Sequence, residues 1–167
     1  MELPATDPTC LEVALPNEAA TAALAARLAP LLRTGDLVAL SGGLGAGKTA
    51  FCRALINTLP GSQEDVPSPT FTLVQVYERG DRQVWHFDLY RLENPEDVWE
   101  LGLDDALAEG ISLIEWPERL ETGLRAERLD LHLAMGPTDD RSRLATLRGC
   151  GSWAERLTAN AGELSQT

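Results

Sequence analysis

The octet Gly42-Gly43-Leu44-Gly45-Ala46-Gly47-Lys48-Thr49 sets small residues, an amine and a hydroxyl at the spacing G-x-x-x-x-G-K-[ST]. Small residues let successive backbone N–H groups turn inward around phosphate oxygens, and a helix starting at the end of the loop adds its positive pole. Lys48 is the only lysine in the chain, while the other thirteen lysine-or-arginine positions are all arginine. An ammonium on a flexible stem can bridge two phosphates inside a tight loop, where a planar guanidinium is bulkier and geometrically fixed. This composition points to a nucleotide phosphate loop running from Gly42 through Leu44, Gly45, Ala46 and Gly47, with Lys48 reaching the β- and γ-phosphates and the Thr49 hydroxyl on magnesium. The plainer alternative is an ordinary glycine-rich turn; the apolar run "LVAL" before it and the helical "KTAFCRALINTL" after it favour the phosphate loop.

Such a loop needs an acid on the magnesium side, usually at the end of a central strand. Glu115 closes "ISLIE" and Asp88 closes "VWHFD". Glu115 follows the more continuously apolar run and is assigned to magnesium, directly or through water; otherwise it is an acid at a loop start. Spacing alone leaves Asp88 equally a catalytic acid or one partner of a surface ion pair with Arg91. His86, two residues earlier on the same strand face, either orients Asp88 or is a half-buried structural histidine. Trp99 and Trp116 read as packing residues on this basis alone.

These residues need a frame. Asn17 caps an amphipathic helix with Leu24, Leu28, Leu31 and Leu32 at helical spacing. "SPTFTLVQVYERGDRQVWHFDLYRL" holds two β-rich runs around a Gly-Asp turn and predicts a hairpin. Asn94 looks like a cap with Pro95 at the first helical position, and Gly102 divides that segment into two short helices. "ISLIEW" is a buried central strand, "LDLHLAM" and "RLATLRG" are antiparallel partners, and a last helix starts near Ser152. The expected fold is α/β: a P-loop NTPase-like three-layer sandwich whose mixed, mainly parallel central sheet includes an antiparallel hairpin. One domain over residues 1–160 and a polar, frayed tail over 161–167 complete the expectation.

Composition narrows the function classes. A formal charge of -12 argues against a free-standing nucleic-acid binder, so any RNA should be held by a partner. Cys10, Cys52 and Cys150 are odd in number, far apart and form no CxxC pair, which suggests neither a disulfide framework nor a zinc site and fits a reduced, cytoplasmic setting. The opening "MELPATDPTC" lacks a basic region followed by an apolar core, and no run is long enough to span a bilayer, so no membrane association is expected.

Taken in order, "GGLGAGKT", "VPSPTFTLVQVY", "WHFDLYRL" and "LIEWPERL" resemble the bacterial TsaE (YjeE) ATPases that serve threonylcarbamoyladenosine modification of tRNA. The resemblance covers residues 17–120 and weakens beyond them. It implies an ATP- and Mg2+-dependent ATPase acting with two partner proteins, TsaB and TsaD, where TsaD transfers the threonylcarbamoyl group to the adenosine beside the anticodon and this protein touches tRNA only through its partners. Carried over by motif, Lys48 and Thr49 take the nucleotide and magnesium positions, Glu115 the magnesium acid and Asp88 the essential acid. Ser68, Pro69 and Thr70 match a switch-like loop near the γ-phosphate, and Trp116 a tryptophan beside the nucleotide. Ala50 stands where many relatives have threonine or serine; its backbone N–H still serves the α-phosphate.

The expected chemistry is metal-assisted ATP hydrolysis, with Lys48 and the loop amides stabilising the transferring phosphoryl group and Asp88 positioning or deprotonating water. The sequence places no arginine finger, so turnover alone should be slow. Two other readings stay open: a small-molecule kinase with a cationic lid in "PERLETGLRAERLD", and a nucleotide-dependent interaction module with little turnover. A guanine-specific switch is disfavoured because no NKxD-like segment is present.

Overall fold

The structure, a computed structural model, describes residues 9–121, 123–137 and 139–166. Its seven strands are β1 (Thr9–Leu15), β2 (Leu37–Ser41), β3 (Val74–Arg79), β4 (Arg82–Asp88), β5 (Ile111–Glu115), β6 (Arg128–Met135) and β7 (Arg143–Cys150). Four α-helices accompany them: α1 (Glu18–Leu28), α2 (Lys48–Thr58), α3 (Leu103–Glu109) and α4 (Trp153–Leu164). They form one mixed sheet in the order β1-β7-β6-β2-β5-β4-β3. The four central strands β6, β2, β5 and β4 run parallel, and antiparallel partners flank them: β3 against β4, β7 against β6, and β1 against β7. This is the expected three-layer α/β architecture.

The period of two along the central strands builds the layers. Val38, Leu40, Val84, Ile111 and Leu113 face α1, α2 and α4 in one core, while Leu37, Phe87 and Ile114 face α3 and its flanking turns in the other. The same alternation puts His86, Asp88 and Glu115 on the α2 side. Asp88 and Glu115 are register partners on adjacent parallel strands, both at their C-terminal ends. The phosphate loop leaves the next strand, β2, at the same end, so three neighbouring strands deliver loop, Glu115 and Asp88 side by side.

Asn17 caps α1 as expected, its side chain accepting from Ala20 N. Asn94 does not cap: no side-chain bond forms, and a 3-10 turn over Pro95–Trp99 takes the place of the first short helix, with Gly102 starting α3 in the left-handed region. β1 is absent from the sequence reading, although Leu11, Val13 and Leu15 alternate with polar or small residues. The tail expectation is corrected in part: α4 continues to Leu164, which is buried among the α1-side core residues, because an apolar side chain there can be covered by that layer. Residues 1–8 of the opening segment and residue 167 of the tail lie outside the described residues.

Candidate nucleotide-binding site

A cavity of about 830 Å³ opens at the C-terminal ends of β2, β4 and β5. Leu44, Gly45, Ala46, Gly47, Lys48, Thr49, Ala50, Ser68, Thr70, Asp88, Glu115 and Trp116 all line it, so most residues singled out by sequence meet in one place. Gly42 and Pro69 do not line it. Gly42 has a structural reason to be glycine: at φ 140°, a Cβ there would sit 2.4 Å from the Leu133 carbonyl oxygen. Gly47, at φ 104°, makes the left-handed step that starts α2 and aims its free N–H groups at the cavity.

Lys48 is 5% exposed. Its Nζ donates to the carbonyls of Gly42 (2.6 Å) and Gly43 (2.8 Å) and lies 4.2 Å from the Trp116 ring centroid. Burial lowers the ammonium below its ordinary range, opposed by the charges of Glu115, Glu118 and Asp88. Trp116 holds a left-handed backbone at φ 61° and ψ 51°, uncommon for a bulky residue, between the end of β5 and Pro117. That conformation turns its ring over Lys48 and against Tyr90, 4.9 Å between centroids.

Glu115 is 2% exposed and accepts from Thr49 Oγ1 at 3.0 and 3.1 Å. A hydroxyl and a carboxylate in contact beside the phosphate loop supply the oxygen ligands that magnesium prefers, so the donor set fits that ion. His86 does not orient Asp88 as sequence allowed; its Nε2 lies 2.6 Å from Glu115. Asp88, two residues on along the strand, instead engages Ser68, Thr70 and the Tyr90 backbone N–H.

Asp88 is buried and is not in a surface ion pair. It accepts from Ser68 Oγ at 2.7 Å and from Thr70 Oγ1 at 3.4 Å, and its second oxygen accepts from Tyr90 N at 3.0 Å. Arg91 instead places its guanidinium 4.6 Å from the Phe71 ring, which is 83% exposed. The 68–73 segment forms turns rather than the start of β3. Leu73 N donates to Pro69 O, Asp88 N donates to Leu73 O, and Leu73 takes φ 66°. The switch-like loop is therefore tied to the acid at both side chain and backbone.

Sequence reasoning missed Arg143. Its guanidinium donates to the carbonyls of Ala46 (Nε, 3.1 Å) and Gly45 (3.0 Å), and also to those of Asp140 and Ser142, clamping the outer turn of the phosphate loop to the start of β7. No local spacing signals it, because the partners lie 97 and 98 residues apart. Asn17, the cap of α1, and Glu18 and Thr21 within it line the cavity as well. Of the three arginines in the lid-like segment, Arg119 lies 5.6 Å from the ring of Tyr90, which lines the cavity, Arg125 donates to Gly35 O near the start of β2, and Arg128 pairs with Asp130. None of the three lines the cavity itself.

Comparison with known proteins finds relatives over most of the chain. A family model described as threonylcarbamoyl adenosine biosynthesis protein TsaE matches residues 15–143. The tRNA threonylcarbamoyladenosine biosynthesis protein TsaE of Rickettsia felis is 41% identical over 133 residues, 80% of this chain and 77% of that protein. Its counterpart in Streptomyces coelicolor is 44% identical over 137 residues, 78% and 92% of the two chains. The crystal structure of Bacillus subtilis YdiB superposes with a TM-score of 0.76 at 31% identity, covering 95% of each chain.

Proposed function

This chain belongs to the TsaE family, and on that premise we propose that it binds ATP with magnesium in the cavity at the strand ends and hydrolyses it in support of threonylcarbamoyladenosine modification of tRNA. The observation that carries the reading is the convergence of Lys48, Thr49, Glu115 and Asp88 around the mouth of one phosphate loop. The loop amides and Lys48 hold the β- and γ-phosphates. Thr49 and Glu115 hold magnesium, which when bound neutralises charge developing on the phosphoryl oxygens. Asp88, freed from Ser68 and Thr70 as the 68–73 segment responds to nucleotide, positions the attacking water and accepts its proton. Trp116 keeps Lys48 in place and shields it from solvent.

Arg143 is engaged by loop carbonyls and Arg91 by Phe71, so neither is a free arginine finger; Arg141 also lines the cavity. Turnover is slow until TsaB and TsaD dock and complete the site, with tRNA held by those partners rather than by this acidic chain. Three thiols without a disulfide agree with a cytoplasmic setting, and among the described residues no helix is long and apolar enough to cross a membrane. Arg125 and Arg128 serve the frame, so a kinase lid would rest on Arg119, which lies over the cavity-lining Tyr90. Phosphate release from Mg-ATP, measured with and without TsaB and TsaD, decides among the classes. Stimulated release is expected. Phosphorylation of a metabolite, or tight nucleotide binding with no release even with partners present, would overturn the hydrolase reading.

A further inference from the structure

Behind the cavity wall, Cys52 of α2, His86 of β4 and Glu115 of β5 converge. One donor atom from each, a sulfur, an imidazole nitrogen and a carboxylate oxygen, lies within 4.8 Å of the other two, and all three residues are buried. Cys52 and His86 are fully enclosed. His86 Nε2 lies 2.6 Å from the Glu115 carboxylate, which holds the imidazole proton on Nε2, while Nδ1 is buried without a hydrogen-bond partner, so an incoming ion must displace that proton to Nδ1. Mixed sulfur, nitrogen and oxygen donors are the ligand set of zinc-class ions; magnesium takes oxygen alone. Bonds of about 2.0–2.3 Å in a tetrahedron bring donors to roughly 3.3–3.7 Å of one another, so the wider separations close by about 1 Å while the 2.6 Å His86–Glu115 contact opens to admit the ion. A water admitted from the cavity, which Glu115 lines, fills the fourth position.

We propose that Cys52, His86 and Glu115 form a binding site for a zinc-class divalent transition ion, set behind the oxygen-lined magnesium position and sharing Glu115 with it. The ion enters through the nucleotide cavity, which Glu115 lines. On binding, the Cys52 thiol proton leaves to solvent and the thiolate ligates. Nε2 presents its lone pair while the imidazole proton sits on Nδ1. No electrons are transferred. A carboxylate turned inward toward this ion is withdrawn from Thr49, so the ion and Mg-ATP oppose one another. That opposition rests on the magnesium role proposed for Glu115; the site itself does not.

The test is cobalt(II) titrated into the full-length, nucleotide-free protein carrying Cys10→Ser and Cys150→Ser, which leaves Cys52 as the only thiol. A thiolate-to-cobalt charge-transfer band, the intense visible bands of tetrahedral cobalt, and displacement of both by zinc are expected. Cys52→Ser should abolish the charge-transfer band, and His86→Gln should weaken binding by about 100-fold. Absence of the band while Cys52 is present overturns the site irrespective of how any variant folds, as does a band that survives Cys52→Ser. Saturating Mg-ATP should raise the apparent cobalt Kd by about tenfold or more. A Cys52-dependent band unmoved by Mg-ATP keeps the cation site and removes Glu115 from the magnesium position. Absence of the band alongside normal Mg-ATP binding removes the cation site and leaves the proposed function standing.

Discussion

Lys48 engages the Gly42 and Gly43 carbonyls and the Trp116 face, contacts that an incoming phosphate must replace. A compact ammonium can pivot between these partners and phosphate oxygens. A guanidinium needs a planar fork and more room than a residue 5% exposed is given. Lys48→Arg should therefore fail nearly as badly as Lys48→Ala, each lowering kcat/KM for ATP by about 10²–10³-fold in a steady-state phosphate-release assay. Asp88 acts on a different quantity. Its carboxylate meets protein hydroxyls rather than the phosphate loop, so Asp88→Asn should lower kcat by roughly 10²–10⁴-fold and leave the Kd for a non-hydrolysable ATP analogue close to wild type. Equal loss of binding and turnover in Asp88→Asn would assign it to ground-state nucleotide binding instead.

At the scale of elements, the site is a product of strand order. β2, β5 and β4 are neighbours, and their common C-terminal edge carries the phosphate loop, Glu115 and Asp88. The loop itself, the strand before it and the helix after it were legible because phosphate binding imposes a local spacing on consecutive residues. Glu115 was legible because it closes a continuously apolar run, whereas spacing left Asp88 open between a site acid and an ion pair with Arg91, and only the family resemblance favoured the acid. What was not legible was pairing at long range: the meeting of His86 with Glu115, and the clamp of Arg143 on Gly45 and Ala46, depend on register between strands, which periodicity within a strand does not encode. Likewise the "SPTF" run reads as β-rich, yet its hydroxyls have an acid to engage and its backbone turns to reach it. Arg143→Ala should loosen the outer turn of the loop. The expected results are a KM for ATP raised by about tenfold, a much smaller change in kcat, and faster hydrogen exchange confined to the 42–47 amides. A kcat effect with unchanged exchange would contradict a positioning role.

At the scale of the whole molecule, two cores on opposite faces of one sheet hold these elements, and the last helix contributes to the one beneath α1 and α2. Leu164 is fully buried there. Leu164→Ala should destabilise the fold by about 2–4 kcal/mol, read as a lower urea midpoint at unchanged slope, where a frayed tail would show no shift. The composition of the molecule bears on the proposed function as well: a net charge of -12 argues against this chain holding tRNA by itself, so the proposal is best read in the assembled system. The central claim is that ATP hydrolysis at the Lys48–Asp88–Glu115 site drives repeated modification. The direct measurement is threonylcarbamoyladenosine formed per mole of complex when this protein, TsaB, TsaD and tRNA are reconstituted with ATP and an excess of activated threonylcarbamoyl donor. Many turnovers are expected with the wild type, and about one or fewer with Lys48→Ala or Asp88→Asn; multiple turnovers at equal rates in all three proteins would contradict the claim.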